Sequence, residues 1–319
     1  MNSSASWNRL RAPAQWLLYT RQINTTRPTL LSTASVKGSF RSHSSAQSSN
    51  DTPITFQPAS RLSGRTCMIT GGTSGIGFAI AERFLHEGAS SIILVGRSRE
   101  RLEAAAMNLP SPAKVQLLVG DVAEAGTWMR ELEKEMTNVD VLVNAAGISI
   151  TNILPRSEVE DISKILRTNL EGAILTSRAL MRAAIRSRVR NRNALEGDKK
   201  PPSRCIINIS SLLALKAGTG AVPYAASKAG LLGLTRSVAV ESAASLKRVV
   251  IRSNVILPGY IETPMIAEFT EGEVGRLNDS IPLHRFGQPS EVADAAVFLA
   301  HNEYANNCVL NLDGGLSAV

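Results

Sequence analysis

Cysteine is scarce: the 319-residue chain has only Cys67, Cys205 and Cys308, far apart and without CxxC or Cys/His spacing. That excludes a disulfide framework and a zinc site, and three buried thiols in a reducing compartment are expected instead. No other metal site is expected. No run of 18 or more apolar residues occurs, which excludes a spanning helix. Aromatic residues make up only 4%, against 44% hydrophobic and 19% charged residues, and the balance is that of a globular chain. Acid is missing from the first fifty residues, which hold Arg9, Arg11, Arg21, Arg27, Lys37 and Arg41 and so account for most of the formal charge of +8. The remaining 269 residues carry 29 basic and 27 acidic groups, a balance that removes most of the case for nucleic-acid binding.

Residues 1–50 also hold 11 Ser and 5 Thr, with Trp7, Leu10, Ala14, Leu17 and Leu18 recurring near helical spacing. Arg-rich, Ser-rich, acid-free and weakly amphipathic is the composition of a mitochondrial transit peptide, and it implies a matrix protein. A secretory signal is excluded because Pro13, Gln15 and Arg21 interrupt every candidate apolar core. The expected organisation is a disordered transit peptide over 1–50, followed by one catalytic domain over 51–319.

Short β-rich apolar runs at 66–70, 91–95, 115–119, 139–144, 204–210, 249–256 and 307–312 alternate with helical patterns such as 75–87, 100–109, 158–187 and 223–246. Strands that are apolar on both faces and separated by helices predict an α/β fold, a doubly wound Rossmann-type parallel sheet of about seven strands. Ligands of such sheets bind at the carboxyl ends of the strands. Two segments fall outside the alternation. Residues 190–203 are polar and Pro-containing and read as a surface insertion, while 264–285 follow a strand end, where a substrate lid would lie.

The first expected strand runs into Thr70-Gly71-Gly72-Thr73-Ser74-Gly75-Ile76-Gly77 and then a helical pattern. Glycines there permit a tight turn and let backbone N–H groups approach a pyrophosphate, whose charge a helix N-terminus favours. In this strand–turn–helix context the run predicts dinucleotide binding. The second expected strand ends in Val95-Gly96-Arg97-Ser98, with no carboxylate for a free ribose hydroxyl. A guanidinium at Arg97 suits a 2′-phosphate instead, so the cofactor expected is NADPH/NADP+.

Tyr224 and Lys228 lie four apart on one expected helix, so they share a face, and an adjacent ammonium would bring the Tyr pKa toward the working range. Thirteen residues upstream, the run 206–210 ends at Ser211. With these residues the chain resembles the short-chain dehydrogenase/reductase family over about 62–316. The carrying motifs are TGGTSGIG at 70–77, Asp121-Val122, Asn144-Ala145-Ala146-Gly147, Asn169 in TNLEG, Ser211, Tyr224 with Lys228, and Pro258-Gly259 followed by Ile261-Glu262-Thr263. The resemblance implies that Tyr224 donates a proton to the substrate carbonyl oxygen, which Ser211 orients. It further implies that Lys228 holds the nicotinamide ribose and tunes Tyr224, and that Asn169 fixes a water linking Lys228 to solvent. Cofactor contacts would come from Gly71, Thr73, Ser74, Gly75, Ile76 and Gly77 on the pyrophosphate side, with Arg97 at the 2′-phosphate. Asp121 and Val122 would meet the adenine, Asn144, Ala145 and Gly147 the ribose side, and Pro258, Gly259, Ile261 and Thr263 the carboxamide side. Ser210 competes with Ser211, but only Ser211 has the family's spacing to Tyr224.

Within that family the chain is most similar to 3-oxoacyl-[acyl-carrier-protein] reductases of mitochondrial type, through 230–236, 251–259, 281–287 and 311–315. That resemblance implies NADPH-dependent reduction of a 3-oxoacyl thioester in fatty acid synthesis, acyl carrier protein as partner, and a homotetramer or other homo-oligomer. A carbonyl or quinone reductase of free small molecules, and a nucleotide sensor without chemistry, are the alternatives. The chain departs from the pattern in having NAAG at 144–147, and in replacing the usual Ile-Thr-Gly before the last strand by a shorter approach over 303–308, which predicts altered packing of that strand. Residues 178–204 carry nine basic groups against Glu196 and Asp198, with Arg178, Arg182 and Arg186 at i+4 spacing. This stripe reads either as a dock for an acidic carrier or as a solvated face.

Overall fold

The computed structural model describes residues 60–124, 126–190, 203–245, 250–266 and 269–319. The expected transit peptide and most of the 190–203 insertion lie outside the described residues.

Seven strands, β1 (Thr66–Thr70), β2 (Ser91–Gly96), β3 (Val115–Val119), β4 (Val141–Asn144), β5 (Arg204–Ile209), β6 (Ile251–Pro258) and β7 (Val309–Leu312), form one sheet in the order β3-β2-β1-β4-β5-β6-β7. Every pairing is parallel. The chain crosses from one half of the sheet to the other between β3 and β4, so β1 and β4 are neighbours and their carboxyl ends flank the switch point where such folds bind ligands. Alternation along each strand feeds two cores. Cys67, Ile69, Ile92, Leu94, Val141 and Val143 face helices α1 (Gly75–His86) and α8 (Pro289–His301), while Met68, Ile93, Val95 and Leu142 face α3 (Met129–Glu135) and α5 (Gly172–Arg190). The strand side chains named here are essentially inaccessible to solvent, and each apolar one contributes on the order of 1.5–3 kcal/mol by burial. Among the thiols, Cys67 and Cys205 are buried, whereas Cys308, just before the edge strand β7, is only half-buried.

Three expectations need correction. The pattern over 158–187 is not one helix: α4 (Val159–Leu166) passes through a π turn at Arg167–Glu171 into α5. A π turn adds a residue without interrupting the apolar stripe, so periodicity does not reveal it. The fourth strand starts at Val141, because Val139 follows the tight turn Met136–Asn138 and Asp140 is spent bridging to β1 through Thr66.

The shortened approach to the last strand does not disturb its pairing, since β7 runs in register with Val255–Pro258. Asn307 makes the left-handed turn, at φ +58°, that a glycine would take freely. Around it, Asn306 Oδ1 accepts from Ser253 N at 2.9 Å and Asn254 Nδ2 donates to Ala305 O at 2.9 Å. The buried Arg252 guanidinium donates to the carbonyls of Leu299 and Ala300 at the end of α8 and to Ala305, where a cation complements the helix dipole.

Candidate active site

The glycine run leaves β1 and enters α1 through backbone that a side chain would block. Gly71 has φ +69°, and a Cβ there would stand 2.7 Å from Ala146 Cα; one on Gly77 would stand 2.4 Å from Gly71 O. Ser74 caps α1 by position only, with an exposed hydroxyl that makes no capping bond, and no acidic residue lies in the first turn of this helix. Thr73 lies beside Gly96 and Gly75 beside Thr263, so the turn meets both the end of β2 and the segment after β6. Ile76 turns into the core. The result is a helix N-terminus with free N–H groups and a spare hydroxyl, suited to a pyrophosphate.

Arg97, just past β2, is exposed, and among the described residues nothing engages its guanidinium. Ser98 next to it is committed to α2 (Arg99–Met107), accepting from Arg101 N and donating to Glu100. Asp121 Oδ1 accepts from Ala123 N at 3.0 Å, while Val122 is buried where a Cβ on Gly172 would touch it.

Asn144 differs from expectation. Its amide is buried, donates to Asn208 Oδ1 at 2.9 Å and accepts from Thr176 Oγ1 at 2.7 Å; Asn208 in turn donates to Thr235 Oγ1 at 2.9 Å. This closed network ties β4 and β5 to α5 and α6 (Val222–Ser245), and the Asn144 side chain does not face the cleft. Backbone at Ala145 and Ala146 packs against Gly71, and Gly147 lies beside Lys228 and Asn169. Ile261 is likewise buried, bridging to Gly287, so only its main chain borders the cleft, whereas Thr263 lies against Gly75. Pro258 ends β6, and Gly259 packs on Asp313.

Tyr224 lies in the first turn of α6, and the hydroxyl of Ser211, just past β5, stands close enough to the phenol to lower its pKa. Burial holds the phenol above its ordinary value, and the Ser211 hydroxyl offsets part of that rise. The Lys228 ammonium, to which the sequence assigns the tuning of this phenol, stands over the Tyr224 ring. Lys228 Nζ donates to Ile209 O at 2.9 Å and lies 5.6 Å from the centre of the Tyr224 ring. Burial alone pushes Lys228 down to about 8. Gly147 leaves room for this ammonium, since a Cβ there would stand 3.2 Å from Nζ. Ser210 is spent on Lys228 O at 2.8 Å, so Ser211 alone of the pair stands beside the phenol.

Asn169 sits in the π turn and is buried. Its Oδ1 accepts from Ile148 N at 2.8 Å, and its Nδ2 donates to Ile148 O at 2.9 Å and to Ser227 Oγ at 3.1 Å. Both amide hydrogens are therefore spent on protein, and the buried side chain locks the segment after Gly147. Ser227 was missed by sequence reasoning. Its hydroxyl donates to Tyr224 O at 2.6 Å, and its place three residues after Tyr224, with a hydroxyl able to bond back along the helix, was the available signal.

A family model described as Enoyl-(Acyl carrier protein) reductase matches residues 71–317. The chain belongs to the short-chain dehydrogenase/reductase family. As a family member it is an oxidoreductase acting on CH–OH and C=O groups, and it binds a nicotinamide cofactor, for which the glycine turn, the unblocked α1 N-terminus and Arg97 are fitting. A relative from Bos taurus named 3-oxoacyl-[acyl-carrier-protein] reductase is 37% identical over 79% of this chain and 98% of that protein. A Danio rerio protein named Carbonyl reductase family member 4 is also 37% identical, over 79% of this chain and 98% of its own length. A solved gluconate 5-dehydrogenase from Burkholderia cenocepacia, in complex with NADP and tartrate, superposes with a TM-score of 0.71 at 29% identity, covering 82% of this chain and 99% of that one.

The arginine stripe of this dehydrogenase/reductase does not border the cleft. Counting the rise along α5 from Asn169, Arg178, Arg182 and Arg186 lie roughly 14, 20 and 26 Å away toward the opposite end of the sheet. Arg182 and Arg186 both pair with Glu133 on α3, at 3.1 and 2.8 Å, whereas Arg178 has no ion-pair partner among the described residues. Lys247 and Arg248, a second basic pair that could meet an acidic carrier, lie outside the described residues. No helix among the described residues is long and apolar enough to cross a membrane.

Proposed function

We propose that the chain catalyses NADPH-dependent reduction of a 3-oxoacyl thioester, carried on acyl carrier protein, to the 3-hydroxyacyl form. Relatives with that printed activity, matched over nearly their whole length, carry the reading. In it, the reduced nicotinamide cofactor supplies the hydride. Tyr224 Oη gives a proton to the carbonyl oxygen as it becomes an alkoxide, and Ser211 Oγ donates a hydrogen bond to that same oxygen. Lys228 holds the nicotinamide ribose and returns a proton toward Tyr224. Asn169 and Ser227 fix the turn and helix that carry Lys228. Ser74 and the N–H groups at the start of α1 receive the pyrophosphate, Arg97 the 2′-phosphate, Asp121 and Val122 the adenine, and the backbone of Ala145, Gly147, Pro258, Gly259, Ile261 and Thr263 lines the nicotinamide half.

A carbonyl reductase of free small molecules is the second reading. The relative named Carbonyl reductase family member 4 and the pairing of Arg182 and Arg186 with Glu133 favour it. Steady-state turnover of the chain lacking residues 1–50, with NADPH, decides between the two. A higher kcat/KM for acetoacetyl thioester on carrier protein than for the coenzyme A thioester or a diffusible ketone is expected, and equal values would select the second reading.

The cofactor reading has its own check. Arg97→Asp is expected to weaken NADPH binding by about tenfold or more, roughly 1.5–3 kcal/mol for a lost charge-assisted phosphate contact, while improving use of NADH. An unchanged ratio of kcat/KM for the two cofactors would leave Arg97 as a turn residue. A mitochondrial matrix location, with 1–50 as transit peptide and 51–319 as the catalytic domain, belongs to the same reading and is supported by composition. So does assembly as a homotetramer or other homo-oligomer, supported by the apolar side chains of Ile174, Ile185 and Val240 left exposed on α5 and α6.

A further inference from the structure

Lys216 belongs to none of the motifs used above, yet it lies five residues after Ser211 in the loop joining β5 to α6. Its Nζ donates to the main-chain oxygens of Leu316 at 2.7 Å and Val319 at 2.6 Å, about a hundred residues downstream. The contact is reinforced by apolar packing, because Leu212, next to Ser211, shares a buried cluster with Leu316, Ile281 and Phe286. Tyr260, Ile266, Val274 and Leu277 border that cluster, so it also underlies α7 (Glu271–Ser280), the helix within the expected lid segment.

Each of the joined pieces is locally stiff. Leu215 N and Lys216 N both donate to Leu212 O, and Ser211 Oγ accepts from Leu213 N, so the loop from Ser211 to Lys216 is closed on itself. The turn Leu316–Ala318 is closed by Asp313, which accepts from Gly315 N and Ser317 N, and Leu283 N donates to Gly314 O. A long flexible ammonium side chain laid across two main-chain oxygens between stiff pieces is a tie, and it joins the Ser211 loop to the Leu316–Ala318 turn.

We propose that Lys216 is a positioning residue for Ser211, holding the loop that carries this hydroxyl against the Leu316–Ala318 turn and, through it, against the 264–285 segment. The inference rests on the reading of Ser211 as the group that orients the substrate carbonyl. It implies that the placement of the Ser211 hydroxyl beside Tyr224 depends on a contact remote in sequence and outside the catalytic set.

The test uses the full chain with NADPH and a 3-oxoacyl thioester. Lys216→Met is expected to lower kcat by roughly tenfold to a hundredfold, since misplacing a reacting group by an ångström costs about that much, with the NADPH Kd unchanged. The apparent pKa in the kcat–pH profile should move upward, because the hydroxyl that holds the Tyr224 phenol down is displaced. Lys216→Arg, which keeps a cationic donor, should restore most of kcat and the profile. Leu316→Ala, which loosens the same loop from its apolar side, should shift the profile in the same direction and serves if Lys216→Met does not fold. An unshifted profile in both Lys216→Met and Leu316→Ala overturns the tie. Ser211→Ala measured alongside separates the two levels: normal turnover there overturns the reading of Ser211 and the tie with it, whereas loss there with none in Lys216→Met overturns the tie alone.

Discussion

Tyr224→Phe is expected to lower kcat for carbonyl reduction by roughly 10²–10⁴-fold while leaving NADPH affinity and folding stability close to those of the parent. The substitution removes one oxygen and no packing volume. Phe keeps the ring at the head of α6, with its neighbour Lys228 still bonded to Ile209 O, so the cofactor side of the cleft is untouched. What disappears is the proton donor and the partner of the Ser211 hydroxyl. Ser211 is half-exposed and can turn to water, so its loss of a partner costs little stability. Stopped-flow or steady-state turnover together with a nucleotide titration checks both halves. Turnover like that of the parent would remove Tyr224 from the chemistry.

Lys228→Met should abolish most activity and weaken nucleotide binding, since one ammonium serves both the phenol and the ribose in the reading above. It also carries a pH signature independent of activity. Burial holds Lys228 near 8 in the folded chain, against 10.5 for the free side chain. Below pH 8 both folded and unfolded chains carry the proton, and the folded state bears the full cost of a buried ammonium. Between about 8 and 10.5 the folded chain releases the proton while the unfolded chain keeps it, so stability of the parent rises with pH across that window. Lys228→Met lacks this contribution. Urea unfolding at pH 7, 8, 9 and 10 should therefore show the parent gaining on the variant step by step above pH 8, and parallel curves would mean that Lys228 is not desolvated as the structure places it.

The parts of the site that could be read from the amino-acid order share one property: their chemistry is local. A glycine run between an apolar strand and a helical pattern demands a tight turn whatever surrounds it, and Gly71 and Gly77 have that geometry. Tyr224 and Lys228, four apart on a helix, face the same side by the pitch of the helix alone. Asn144 shows where this stops. The same motif that placed it near the cofactor says nothing about which way its side chain turns, and the decision was made by Asn208 and Thr176, which reach it from another strand and a helix, with Asn208 held in turn by Thr235 on a second helix. A buried amide with unmet hydrogen bonds costs about 1–3 kcal/mol, enough to pull the side chain into that network.

Composition and alternation by themselves determined the α/β class, the parallel sheet and the place of the nucleotide turn, because burial of both sheet faces and the strand–turn–helix geometry are dictated by residues near one another in the chain. The tertiary structure decided what depends on distant partners. The π turn at Asn169 is locked by Ile148 and Ser227, the last strand is seated by Arg252, Asn254 and Asn306, and the Tyr224 phenol is shifted by its burial and by Ser211. The arginine stripe belongs with these, since its i+4 spacing was visible in the order of residues but its neutralising partner, Glu133, lies on another helix, and only packing brings the two within hydrogen-bond reach.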